Sequence, residues 1–169
     1  MLDKNLLLVD IGGTNIRYAY SNIGDSDFVS ENKAELDTLN DFDNLMSVLL
    51  AESDVKNIVF SVAGPKVNNS IKMTNRNFEI DADEIRKRFN LESCYLLNDW
   101  ESIGYSIRTF SENDFDNFKD GEPFNDNFLV IGPGTGLGAS VISGNNVIAT
   151  EIGNTNLGLS ALKSLLKIN

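Results

Sequence analysis

Twice in this chain a short apolar run stops at clustered glycines. Leu6-Leu7-Leu8-Val9-Asp10-Ile11 ends at Gly12-Gly13, and Phe128-Leu129-Val130-Ile131 ends at Gly132-Pro133-Gly134-Thr135-Gly136-Leu137-Gly138. Apolar runs this short, bounded by turn residues, fit buried strands. Glycine lets a backbone bend tightly or approach an anion closely. Four glycines in the seven residues 132–138 lose much conformational freedom on folding, and that loss needs a reason. Anion cradling is one reason and a plain hairpin bend is the other. A Rossmann loop would be followed by a helix, whereas β-like residues follow here, and the Gly-Lys-Ser/Thr of a P-loop is absent.

The rest of the chain alternates strands with helices. Residues 15–21 place Ile16, Tyr18 and Tyr20 on one face, which predicts a strand paired to the first through the glycine turn. A third strand fits 27–34. Phe42, Leu45, Met46 and Leu49 fall at helical spacing within Asp41 to Glu52. Ile58 to Ala63 is a strand ended by Gly64-Pro65. Asp81 caps the next helix, with Glu84 three residues on and Ile80 and Ile85 as a hydrophobic staple. Tyr95 to Leu97 is a strand, and a helix follows with Trp100, Ile103 and Ile107 on one side. Polar residues 109–127 form a linker or surface loop. Strands at 139–143 and 146–150 form a hairpin across Gly144-Asn145, and Leu157 to Leu166 is a last helix. This order argues for an α/β layer.

Composition narrows the chemistry. The 169 residues carry 14 Lys+Arg against 25 Asp+Glu, a net charge of −11, which disfavours nucleic acid and anionic membrane as partners. An anionic substrate would have to be held by backbone N–H groups and a metal ion. Histidine is absent, so Ser-His-Asp and Cys-His pairs are excluded and acid/base work falls chiefly to Asp and Glu. Cys94, the one cysteine, lies in an apolar run and reads as a buried core thiol. The opening apolar stretch is too short for a secretory signal, and no run approaches a membrane span, so the expected location is cytoplasmic.

Two further motifs carry candidate chemistry. Leu96-Leu97-Asn98-Asp99-Trp100 runs from a strand into a helix, and open α/β sheets place ligands at such carboxyl ends. Asp99 can accept a hydroxyl proton and Asn98 can orient that hydroxyl. Asn98 with Glu101 equally forms a capping box, and the two roles are compatible. In Glu151-Ile152-Gly153-Asn154 a carboxylate and an amide bracket a glycine, which suits sugar hydroxyls, or marks a turn. Asp10, at the end of the first strand, can face a divalent metal, directly or through water.

Taken in order, these segments resemble the bacterial glucokinase family of actin-like sugar kinases. The matching stretches are Leu8 to Arg17, Ser61 to Pro65 with Met73-Thr74-Asn75, Asn98-Asp99, Gly132 to Gly138, and Glu151 with Gly153. The resemblance implies an actin-like ATPase (ribonuclease H-like) α/β domain with a mixed sheet, followed by the start of a second, incomplete domain. The expected limits are 1–109 for the small domain, 110–127 for the linker, and 128–169 for the beginning of the larger domain. It implies ATP-dependent phosphorylation of glucose or a related hexose, with Mg²⁺ and ATP. Asp99 would be the catalytic base, and Asn98, Asp99, Glu151 and Asn154 would bind sugar. Gly12, Gly13, Thr14, Asn15, Gly134, Thr135 and Gly136 would flank the ATP phosphates, and Asp10 would hold Mg²⁺ through water. Asn154 stands where the family has histidine. Family members continue well beyond residue 169 and form homodimers. On that basis the isolated chain is expected to be a fragment or truncated product, weakly active or inactive, and self-associating. The alternatives are a non-catalytic remnant that binds sugar or a partner, and an actin-like assembly protein.

Overall fold

The computed structural model describes residues 3–12, 15–35, 38–51, 53–73, 78–122, 125–133 and 137–150. Two compact units divide the chain, Met1–Ser102 and Ile103–Asn169.

In the first unit β1 (Leu6–Ile11), β2 (Asn15–Ser21) and β3 (Val29–Glu35) run back and forth along the chain. Next come α1 (Leu39–Ala51), β4 (Asn57–Val62), and the short strands β5 (Lys66–Val67), β6 (Ser70–Lys72) and β7 (Glu79–Asp81). They lead to α2 (Ala82–Arg88), β8 (Ser93–Asn98) and α3 (Asp99–Ser106). The main sheet has the order β3-β2-β1-β4-β8. β1–β2 and β2–β3 are antiparallel, whereas β1–β4 and β4–β8 are parallel, which makes the sheet mixed as expected.

Alternation along the strands decides which face is buried. Leu7, Val9 and Ile11 of β1 align with Ile58, Phe60 and Val62 of β4, and these with Cys94, Leu96 and Asn98 of β8. All nine are buried, and α1 supplies Phe42, Met46 and Leu49 to the same core. α2 adds Ala82 and Ile85. Each large side chain so buried contributes about 1.5–3 kcal/mol of transfer free energy. Thr38 and Asp41 cap α1 reciprocally, through Asp41 N–H to Thr38 Oγ1 (3.2 Å) and Thr38 N–H to Asp41 Oδ2 (2.9 Å). At α2 the Asp81 carboxylate accepts from the N–H groups of Asp83 and Glu84, both at 2.9 Å, as the sequence predicts. The staple pair, Ile80 and Ile85, is buried.

The second unit contains β9 (Asn127–Pro133), β10 (Leu137–Ser143) and β11 (Asn146–Thr150) in an antiparallel sheet of order β11-β10-β9. Gly144 takes φ +54° in the tight turn joining β10 to β11. Ahead of this sheet one 3-10 turn, Ile107–Thr109, directly follows α3, and a second, Glu112–Asp114, interrupts the exposed segment expected to be loop. Gly104 packs closely here, since a Cβ on it would stand 2.5 Å from Val147 Cγ1 and 2.7 Å from Ser140 Oγ.

Two readings change. β5, β6 and β7 form a small antiparallel sheet that the sequence does not announce, because strands of two or three residues are too short to show a period. Trp100, Ile103 and Ile107 do not form a buried stripe: Ile103 is 39% exposed, and the buried positions of α3 are Glu101 and Gly104. The helix expected at Leu157 to Leu166 lies outside the described residues.

Candidate functional site

Strand register alone gathers the first group of candidates. Ile11 lies beside Val62, and Val62 beside Asn98, so β1, β4 and β8 end in one row at their carboxyl ends. Asp10 and Ser61 sit together one residue earlier in the same register. Two strand spacings put the backbones at the ends of β1 and β8 roughly 10 Å apart. A carboxyl edge of parallel strands is where open α/β sheets place ligands.

Asn98 makes most of its side-chain hydrogen bonds within the fold. Its Oδ1 accepts from the N–H groups of Trp100 (2.9 Å) and Glu101 (3.3 Å), and its Nδ2 donates to the Gly64 carbonyl (2.8 Å). Glu101 Oε2 accepts in return from the Asn98 N–H (3.1 Å), which completes the predicted capping box. The residue is 4% exposed, and one Nδ2 hydrogen is left over for a further acceptor.

Asp99 opens α3. Its Oδ1 accepts from the Trp100 N–H at 2.9 Å, and its carbonyl accepts from Ser102 Oγ at 2.7 Å. Ser102 Oγ in turn lies 2.9 Å from Ser61 Oγ, which ties the start of α3 to the end of β4. Burial pushes the Asp99 carboxyl above the usual carboxylate range. The Trp100 N–H opposes that rise, and the negative charge of Asp10 adds to it. Asp10, one position before the end of β1, and Asp99, just after the end of β8, both lie near the carboxyl edge of the parallel strands. Two carboxylates that repel each other suit a hydrated divalent cation that also takes phosphate oxygens. Among the described residues no cluster of three or more carboxylate or thiol ligands forms a protein-only metal cage.

Asp10 also meets Arg17, whose guanidinium stands 3.7 Å from its Oδ2. Arg17 is directly opposite Asp10 in the β1–β2 register. Between the two strands Gly12 donates its own N–H to the Asn15 carbonyl at 3.0 Å. Any phosphate contact at this turn would therefore come from N–H groups other than that of Gly12. Below the turn a cavity of about 330 Å³ is lined by Asp10, Arg17, Ser61 and Ser102 at its polar side and by Leu8 and Val59 at its apolar side.

Of the predicted site residues, Asp10, Gly12, Asn15, Asn98 and Asp99 lie in the first unit. Asp10, Asn98 and Asp99 all lie at the carboxyl edge, Asn98 in the buried row and Asp10 on the exposed face, with Gly12 and Asn15 in the adjoining turn. Gly13, Thr14, Gly134, Thr135, Gly136, Glu151 and Asn154 lie outside the described residues. The ends of the second glycine segment are strand, with Gly132 beside Gly138 and Pro133 beside Leu137. Sequence reasoning gave no role to Arg17, Ser61, Ser102 or Lys66. The hairpin register was a signal for Arg17, because a turn between Ile11 and Ile16 sets residue 17 opposite residue 10. Lys66 donates to Glu101 at 3.1 Å across 35 positions of sequence, and no local pattern announces that contact.

A family model described as Glucokinase matches residues 7–164. The glucokinase of Colwellia psychrerythraea is 35% identical over 152 residues, covering 83% of this chain and 44% of its own length. Among solved structures, a glucokinase from an Antarctic psychrotroph superposes with TM-score 0.72 at 24% identity, over 98% of this chain and 56% of that one. A ROK family glucokinase from Streptomyces griseus, in complex with glucose and AMPPNP, gives TM-score 0.63 at 21% identity, over 85% of this chain and 46% of that one. The chain thus spans about half the length of the relatives it matches. Likeness at these identities shows the fold, which is the actin-like ATPase arrangement expected from the sequence.

Proposed function

This chain belongs to the glucokinase family, and on that premise we propose that it carries the proton-accepting side of an ATP-dependent hexose kinase acting on glucose or a related sugar. The observation that carries the proposal is the placement of Asp10 and Asn98-Asp99 at the carboxyl ends of the parallel strands, with the Asp99 carboxyl pushed up chiefly by burial.

In this scheme Asp99 accepts the proton of the sugar hydroxyl as that oxygen approaches the γ-phosphorus of ATP. A general base of this kind is worth about 10²–10⁴-fold in rate. Its pKa, raised by burial, makes its carboxylate a better proton acceptor than an ordinary exposed one. Asn98 fixes the start of α3, and its remaining Nδ2 hydrogen can meet a sugar oxygen. Phosphoryl transfer asks chiefly for positioning and charge neutralisation. Mg²⁺, when bound, would neutralise phosphate charge, and Asp10 is the residue placed to hold its water shell. The turn at Gly12, Gly13, Thr14 and Asn15 and the loop at Gly134, Thr135 and Gly136 are assigned to the ATP phosphates, and Glu151 and Asn154 to sugar hydroxyls. The same proposal takes 1–109 as the small lobe, 110–127 as the connection and 128–169 as the start of the larger lobe, in a cytoplasmic protein. No helix among the described residues is long and apolar enough to cross a membrane.

The test is a coupled assay of ADP release with glucose and MgATP, on the product of the complete reading frame that carries these residues. Asp99→Asn is expected to lower kcat by about 10²-fold or more. Equal activity in both proteins would refute the assignment of the base.

A further inference from the structure

The small sheet and the turn before it are fastened to the start of α3 at two points. Gly64 accepts from Asn98 Nδ2 at 2.8 Å, and Lys66, the first residue of β5, reaches Glu101 with Nζ 3.1 Å from Oε2 and 3.4 Å from Oε1. Oε2 is also the atom that accepts the Asn98 N–H. A single carboxylate oxygen therefore links a lysine on β5 to the backbone N–H just before Asp99. Glu101 is 9% exposed, and the lysine is the cation that pairs with it.

An ion pair this withdrawn from water gains little net stability, because desolvation offsets most of the attraction. What it does supply is geometry. Without Lys66, the Glu101 carboxylate would stay desolvated beside a capping N–H, and the favourable response is to swing out toward water. That movement would release the Asn98 N–H and loosen the first turn of α3, where Asp99 sits. We propose that Lys66 is a positioning residue for Asp99, acting through Glu101 and the Asn98 cap rather than by touching substrate. This role rests on the assignment of Asp99 as the base.

Two readouts on Lys66→Met test it. The first is amide hydrogen exchange in the chain itself. The Asn98 N–H is expected to exchange about tenfold faster, the equivalent of about 1.4 kcal/mol of local opening, while the amides of β4 keep their rates. The second is the ADP-release assay, where kcat is expected to fall on the order of tenfold with the KM for MgATP unchanged, since small misplacements of a reacting group are costly. Lys66→Arg keeps the cation and is expected to restore both. Equal acceleration at Asn98 and β4 would show plain destabilisation and overturn the proposal. So would unchanged exchange at Asn98, an unchanged kcat, or failure of Lys66→Arg to restore. Full activity in Asp99→Asn would instead sink the assignment of the base, and leaves the exchange result standing by itself.

Discussion

Alanine at Gly64 should damage the first unit far more than alanine at Gly24, although both glycines sit at positive φ. Gly64 has φ +144°, a region that side chains rarely tolerate, and a Cβ there would stand 2.9 Å from the Lys72 carbonyl oxygen and 3.0 Å from Ile71 Cγ2. The Lys72 backbone cannot recede easily, because β6 is paired with β7 at Lys72 and Glu79. Backbone strain of this kind costs about 1–3 kcal/mol, and forced overpacking costs about as much again, so about 4 kcal/mol in all is expected for Gly64→Ala. Gly24 has φ +92° with nothing within 4 Å of the added carbon, which leaves strain alone, about 1–2 kcal/mol. Trp100, the one tryptophan, lies in the same unit as both glycines and reports its unfolding by fluorescence. With a urea slope of about 2 kcal/mol/M, the midpoint should fall by about 2 M for Gly64→Ala and by about 0.5–1 M for Gly24→Ala. Equal shifts would show that steric crowding by the Lys72 carbonyl is not what fixes glycine at 64. The larger variant should also loosen Asn98, whose amide donates to the Gly64 carbonyl.

Asp99→Asn should stabilise the fold near neutral pH while removing activity. A carboxyl whose folded pKa is raised binds its proton more tightly in the folded state, so its stabilising effect is present below its unfolded pKa and lost as pH rises through the folded value. The gain in melting temperature should therefore appear at pH 7 and vanish near pH 3, and a gain of equal size at both would contradict the raised pKa. Ser140→Ala should be neutral or stabilising, by up to about 1 kcal/mol in chemical denaturation, because Ser140 Oγ is fully buried without a hydrogen-bond partner. Cys94 is buried and its thiol is pushed up to about 12, so a thiol reagent at pH 8 should label it only after unfolding. Rapid labelling of the native chain would place Cys94 outside the core.

The longer strands and helices of the first unit are legible because each carries its own period, unlike the two- and three-residue strands β5, β6 and β7. β1, β2, β4 and β8 show runs or alternation, and Asp81 and Asn98 mark helix starts by capping chemistry that acts within three residues. Asn98 and Asp99 were found for the same reason, since a strand that ends in a capping residue also ends at the ligand edge of a parallel sheet. What the sequence hid is long-range. Lys66 meets Glu101, and Asn98 meets Gly64, across more than thirty positions. The exposure of Ile103 was hidden too, because helical spacing names a face without saying what lies against it. Arg17 is an intermediate case: its partner follows from the register of the hairpin once the turn is placed, although its charge alone does not single it out.

Because Asn98 occupies the same inward row as Ile11 and Val62, the chemistry of the sheet edge and the oil-like interior are written on one ruler. A single inserted or deleted residue within β8 would invert its parity, turning Leu96 outward and carrying the cap and the carboxylate away from β4 together. Lineages of this domain can therefore exchange side chains at the edge one at a time, but they cannot slide the edge along the strand without rebuilding the oily layer behind it.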